Sequence, residues 1–495
     1  MNKIYIIFIL IFLTSLFGCK KDILEVDYNN QHDVPSGGNI DSEEIEALGS
    51  SLFWKWYMNQ TTSLSPRMAI WTMSDQGTSS WANRGMRDLS SEPRAEFNNT
   101  EEYTYADNFL TYYNDSYVVL STANNILKSI KNGTDMGDDT EKYRALSSFL
   151  QGVSLGYLGL VYDKSFIVTE NTDEEVLMSL EAAPYSQVVD SALVALDKCI
   201  DICNSSSFTI GNDWISGDTY SNNELARLAN SYAARILVAK ARTTQENTAT
   251  DWSKVLNYSN NGISKDFKVF NDNINWKNWF FHYTVSRENW ARIDARIINM
   301  IDPSYPYRYP DLSGEPAPGE ATSADARLLT DFNYDPVCEF LPERGYYHYS
   351  NYEYNVRYTY TQSNPEYTYN YLGTENDLLK AEALFHTGDK SGAISILNSG
   401  TRVNRGALAE LDGGISDTEF LEALFYERDI ELIMTGFGLA YFDMRRRDML
   451  QEGTMLHFPI PAEQLNVMGM PTYTFGGVAN ADGINTSNGG WFPAK

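Results

Sequence analysis

The sequence predicts a mainly α-helical fold of paired helices, interrupted by one large loop-rich, Tyr- and Trp-rich insertion. Three observations predict it. Seven stretches repeat their apolar residues at helical spacing. Small residues such as Ala229, Ala233, Ala234, Ala381, Ala383 and Ala393 stand where paired helices would cross. Residues 261–373 lose the helical period, except near 289–300, and fill with Gly, Pro, Asn and Tyr.

Residues 1–18 begin with Met1, Asn2 and Lys3, continue as an apolar run over 4–13, and lead to Cys19. A bilayer-crossing helix needs about 20 apolar residues, so this shorter run is read as a signal peptide. The stretch Leu16-Phe17-Gly18-Cys19 resembles a bacterial lipobox, with Phe17 where a small residue is usual. That resemblance implies cleavage before Cys19 and lipidation of its thiol. Residues 19–42 are polar, contain Gly37-Gly38, and are expected to form a lipidated tether.

Residues 43–260 are expected to form an N-terminal helical scaffold that carries a ligand loop. Trp54 and Trp56 fall in its first helical stretch and are assigned to the core. Over 117–130 the stripe is Val119, Ala123, Ile126, Leu127 and Ile130; over 143–162 it is Leu146, Phe149, Leu150, Val153, Tyr157 and Leu160. Stretches 185–203 and 224–241 follow the same rule. Residues 261–373 are the insertion, with Tyr352, Tyr354, Tyr358, Tyr360, Tyr367 and Tyr369 in polar alternation near its end. Residues 374–495 return to helices: 375–386 and 390–399 are separated by Gly388-Asp389, and 417–435 is stopped by Gly436 and Gly438. Such pairs resemble tetratricopeptide hairpins, which stack side by side into a scaffold.

A formal net charge of −28 argues against nucleic acid as partner, because phosphate binding needs a basic face, and weighs mildly against polyanionic substrates. Cys199, Cys203 and Cys338 are an odd remainder after Cys19 and are read as buried thiols. Gly152-Val153-Ser154-Leu155-Gly156 matches a nucleophile-elbow pattern, but that motif needs a strand-to-helix turn and here falls inside a helical stripe. The five His show no zinc-site spacing, and the oxygen-rich clusters at 135–139 and 271–273 lack the EF-hand order, so no metal or cofactor is expected. A chain with 66 acidic residues leaves a carboxylate pair for glycoside hydrolysis open.

In the C-terminal third, Glu427-Arg428, Glu431-Leu432, Gly436, Phe442-Asp443, Arg445-Arg446 and Pro459-Ile460-Pro461 with Glu463 follow one another. This succession resembles the SusD/RagB family of Bacteroidetes outer-membrane lipoproteins. Leu379–Ala383 with Gly388-Asp389 resembles that family's last hairpin, and Ala123-Asn124 its "AN" helix. Phe437 and the residue after Asn466 depart from the family pattern. The resemblance implies a non-catalytic, surface-exposed lipoprotein that captures oligosaccharide, or in some members peptide, and passes it to a SusC-type TonB-dependent transporter in the outer membrane. A surface glycoside hydrolase and a protein-interaction scaffold are the rival readings.

A sugar offers apolar C–H faces ringed by hydroxyls, so its site needs Trp and Tyr rings beside short polar groups. Two stretches offer that pattern. The first, taken as non-helical, supplies Trp71, Asp75, Trp81 and Asn83. The second supplies Trp276, Trp279, Trp290, Arg292 and Tyr305. These nine are the candidate ligand residues, and Cys19 is the lipidation site.

Overall fold

The structure is a computed structural model, and it describes residues 39–79, 81, 83–177, 179–285, 291–307, 318–336, 350–355, 357 and 365–491. Cys19, Trp290, Cys338, Tyr358 and Tyr360 lie outside the described residues. The principal helices are α1 (Ser42–Thr61), α2 (Arg67–Met73), α3 (Ala106–Lys131), α4 (Thr140–Val161), α5 (Tyr185–Ser205), α6 (Asn222–Ala239), α7 (Trp279–Thr284), α8 (Gly373–His386), α9 (Lys390–Ser399), α10 (Asp417–Glu431) and α11 (Leu439–Arg446). The protein is mainly helical, with five two-stranded sheets among the described residues.

Local chemistry starts these helices where they start. Asp41 with Glu44, Ser221 with Glu224, and Ser416 with Glu419 each form a reciprocal capping box at the N-termini of α1, α6 and α10. Helix α10 ends at Glu431, short of the predicted 435, because Met434 and Gly436 take positive φ (60° and 61°) and turn the chain away. The apolar stripes pack α3, α4, α5 and α6 together around a shared core, with Leu193, Leu196, Leu228 and Ile236 from the last two. The glycines of the Gly152–Gly156 motif are crossing points. A Cβ at Gly152 would stand 2.6 Å from Leu196 Cγ on α5, and one at Gly156 would stand 2.5 Å from Ile236 Cδ1 on α6. Ser154 between them is buried in mid-helix, so the motif serves packing.

The insertion closes on itself at its base. Strand β2 (Phe267–Asn271) pairs antiparallel with β4 (Glu366–Tyr371), Val269 opposite Thr368, so its first and last segments leave the helical body side by side. Tyr57 of α1 bonds both strands, through Asn271 Oδ1 (2.7 Å) and Thr368 Oγ1 (2.9 Å). In a separate sheet, β1 (Gly77–Thr78) pairs with β3 (Arg292–Ile293), joining the two stretches that carry the candidate residues.

The C-terminal block is a buried electrostatic clamp. Arg445 donates to the Leu160 and Leu456 carbonyls (2.8 and 2.9 Å) and to that of Ala239 (2.8 Å), capping chain ends at α4 and α6. Arg446 grips both oxygens of Glu382 on α8 (2.6 and 2.9 Å) and bonds Asp443 (2.9 Å). Arg428 takes the other oxygen of Asp443 at 2.7 Å. Burial raises the Asp443 carboxyl, but Arg428, Arg446 and Arg447 outweigh it and hold the group far below the usual carboxylate range. Cys199 and Cys203 are buried with Sγ atoms 4.0 Å apart on one face of α5, and burial pushes the Cys199 thiol well up. They are core thiols.

Candidate ligand-binding surface

The first predicted stretch is not a loop throughout. Residues 67–73 form α2, whose Met68, Ile70 and Trp71 are all buried. Trp71 is 6% exposed and lies edge-on against Phe280 (centroids 5.9 Å apart, 89°). Tertiary packing of these apolar side chains overrides the Ser- and Thr-rich local composition. Asp75, at φ 46°, is 3% exposed and bonds Arg94 Nη2 (2.8 Å) and Trp491 Nε1 (2.7 Å). Arg292 is buried between Glu353 (2.5 Å) and Asp335 (3.1 Å), and Tyr305 is buried against Tyr352 (5.8 Å). All four of these candidates are buried and engaged in packing or ion pairs inside the protein, unlike the exposed platforms the sequence pattern suggests.

Of the other candidates, Trp81, Asn83, Trp276 and Trp279 are partly exposed, and Trp290 lies outside the described residues. Helix α1 positions the second stretch from below. Trp54 Nε1 donates to the Asn275 carbonyl (2.9 Å), and Thr61 Oγ1 to that of Lys277 (3.0 Å). Asp272 Oδ1 accepts the backbone N–H groups of Ile274, Asn275 and Trp276, each at 2.8 Å. Burial raises that carboxyl, yet the three donors outweigh it and keep it below the usual range. The turn seats Trp276 half-buried on Phe53 (6.2 Å) and Tyr57 (5.5 Å). Asn278 then caps α7, its Oδ1 accepting the Phe281 N–H at 3.3 Å.

One turn of α7 buries Phe280 and Phe281 and leaves Trp279 and Tyr283, four residues apart, half-exposed on the opposite face. Their rings stand 6.3 Å apart, with Lys277 Nζ 5.8 Å from the Trp279 centroid. Across from them, Arg84 sits at φ 52° before Gly85 at 77°. This left-handed pair turns the guanidinium to 5.6 Å from the Tyr283 ring. The structure thus brings the two predicted stretches together, through Arg84 and Tyr283. Trp81 and Asn83, both half-buried, belong to the turn that leads into Arg84.

Arg84, Lys277 and Tyr283 were not among the nine candidates. Tyr283 was legible in principle, being one helical turn from Trp279. Trp54, assigned to the core, is 36% exposed, whereas Trp56 is buried as expected. Helix α1 turns Trp54 outward beside the Asn275 turn, whereas Trp56 packs against Tyr232 (5.9 Å).

No protein-family model matches this chain, and no curated protein does. Solved structures do match. A SusD-like carbohydrate-binding protein of Bacteroides fragilis superposes with a TM-score of 0.59 at 13% identity, over 82% of this chain and 86% of that one. A SusD superfamily protein of Parabacteroides distasonis gives 0.58 at 15% identity, over 86% and 97%. One of Bacteroides thetaiotaomicron gives 0.55 at 14% identity, over 87% and 93%. This chain has the SusD-like fold.

Proposed function

We propose that this chain, on its SusD-like fold, is a surface glycan-binding lipoprotein that captures oligosaccharide and hands it to a SusC-type transporter. The observation that carries the reading is the patch of Trp279, Tyr283 and Arg84. Two half-exposed rings on one helix face offer apolar platforms for sugar C–H faces. Arg84 and Lys277 offer hydrogen bonds to the rim of hydroxyls. Trp81, Asn83 and Trp276, neighbours of these residues in sequence, are included in the proposed site. Lipidation at Cys19 would keep the patch at the outer membrane, where the transporter opens. Binding without catalysis is part of the proposal, and the carbohydrate-binding neighbour of the same fold supports it.

The test is affinity electrophoresis of the soluble chain, with Cys19 replaced, through gels cast with different polysaccharides. Retardation by one polysaccharide, with no shortening of the polymer, is the expected result. Shortening would replace capture with hydrolysis. Retardation by none of them would remove the glycan reading.

A further inference from the structure

A second cleft lies among residues that the aromatic patch does not use. Its volume is about 530 Å³, within the range of roughly 300–1,000 Å³ that small-ligand pockets occupy. The last turn of α3 supplies Leu127, Ile130 and Lys131, the start of α4 supplies Thr140 and Arg144, and α5 supplies Lys198. The segment after Tyr162 supplies Glu170 and Asn171. Three cationic side chains therefore line the cleft against the one carboxylate of Glu170, in a chain whose net charge is −28.

The walls are held from behind. Buried Gln151 donates to Asn124 Oδ1 (2.6 Å) and to Glu170 Oε2 (2.8 Å), and Asn124 donates to the Val168 carbonyl (3.0 Å). Glu170 Oε1 accepts from Lys198 Nζ at 2.7 Å. Burial raises the Glu170 carboxyl, but Gln151 and Lys198 outweigh it, so the group stays ionised and accepts hydrogen bonds. Lys131 Nζ donates to the neutral Asn171 Oδ1 (2.7 Å), which leaves its charge uncancelled there. An ammonium carries three N–H groups, so Lys131 and Lys198 each retain donors beyond these bonds. Arg144 is held at the edge by Glu141 (2.7 and 2.9 Å).

We infer that this cleft binds an acidic sugar, a residue bearing a carboxylate or sulfate. Lys131 and Lys198 take the anionic group, with Arg144 beside them. Glu170 and Asn171 accept from hydroxyls, and Ile130, backed by the buried Leu127, covers an apolar face. A lone inorganic anion would use neither the acceptors nor the apolar wall, and would leave most of the volume empty. The chain's overall negative charge opposes such a ligand at long range. At physiological ionic strength that field decays over about 8 Å, and the local contacts decide. The inference rests on the glycan-capture reading and adds a substrate class to it.

The test is calorimetric titration of the soluble chain with galacturonate, oligogalacturonate, galactose and sodium sulfate, in about 0.15 M salt. The wild-type chain is expected to bind the uronates and not galactose. Lys131→Gln, at an exposed position, and the double variant Lys131→Gln/Lys198→Gln should each weaken uronate binding, the double by tenfold or more, since each charge-assisted hydrogen bond is worth about a factor of ten. Sulfate binding as tightly as uronate would overturn the inference in favour of a simple anion hole. Retardation by a neutral polysaccharide with no uronate binding would remove the acidic-sugar cleft and leave glycan capture standing. Uronate binding unchanged in the double variant would place the acid elsewhere and equally overturn it.

Discussion

Trp279 and Trp71 differ in what their removal should cost, although both are candidate ligand residues by sequence. Trp279 is half-exposed, and its ring contacts among the described residues include His282 (5.2 Å) and Tyr283 (6.3 Å). Losing such contacts costs about 0.5–1.5 kcal/mol of stability each at most. A sugar ring stacked on the open face would cover about 100 Å² of a side chain that can bury some 150–250 Å². At about 25 cal/mol per Å² this is worth about 2.5 kcal/mol, so Trp279→Ala should weaken binding by between tenfold and a hundredfold. Trp71 is 6% exposed against Phe280, so Trp71→Ala opens a cavity in the core and should cost about 3–5 kcal/mol of stability. Urea unfolding and a dissociation constant for the retarding polysaccharide, measured on both variants, separate the two roles. The reasoning is refuted if Trp279→Ala binds within twofold of wild type, or if Trp71→Ala unfolds at the wild-type midpoint.

Three further outcomes follow from the interior. Arg446→Met strips the fully buried Glu382 of its bidentate partner and should cost about 3–5 kcal/mol. Adding Glu382→Leu should recover part of that loss in a double-mutant cycle, and an additive cycle would dismiss the pair. Asp443 has its folded-state pKa depressed by three arginines, so its stabilisation is full above the unfolded value of about 3.9 and fades as pH falls below it. The stability gap between wild type and Asp443→Asn should be constant above about pH 5 and shrink at lower pH; a gap that widened on acidification would contradict the assignment. Gly152→Val, whose Cβ would stand 2.6 Å from Leu196 Cγ and 3.1 Å from the Ala192 carbonyl oxygen, should lower the urea midpoint by the equivalent of about 1–3 kcal/mol. An unchanged midpoint would show that α4 and α5 do not meet there.

Much of the helical body was legible because its signals are local. Apolar stripes over 143–162 and 185–203 became α4 and α5, and Lys390–Ser399 formed as read, since 3.6-residue periodicity and capping chemistry are written into neighbouring residues. The run Arg445-Arg446-Arg447 bonds both carbonyls and carboxylates, through partners far along the chain. The short α2 escaped, because nothing local marks seven residues as helical when their stability comes from packing on Phe280.

Sequence alone determined the fold class, the spacing of the helices and the aromatic character of the candidate surface, because periodicity and composition are properties of consecutive residues. Only the tertiary structure decided which aromatics face outward. Trp71 and Trp279 were equal candidates on composition, yet α2 turns one into the core while Asp272, Thr61 and the Asn278 cap hold the other at the surface. The meeting of Arg84 with Tyr283 was likewise beyond sequence, since it depends on β1 pairing with β3 about 215 residues along the chain. Exposure and long-range pairing are set by the packing of distant segments, and no single stretch of the chain encodes them.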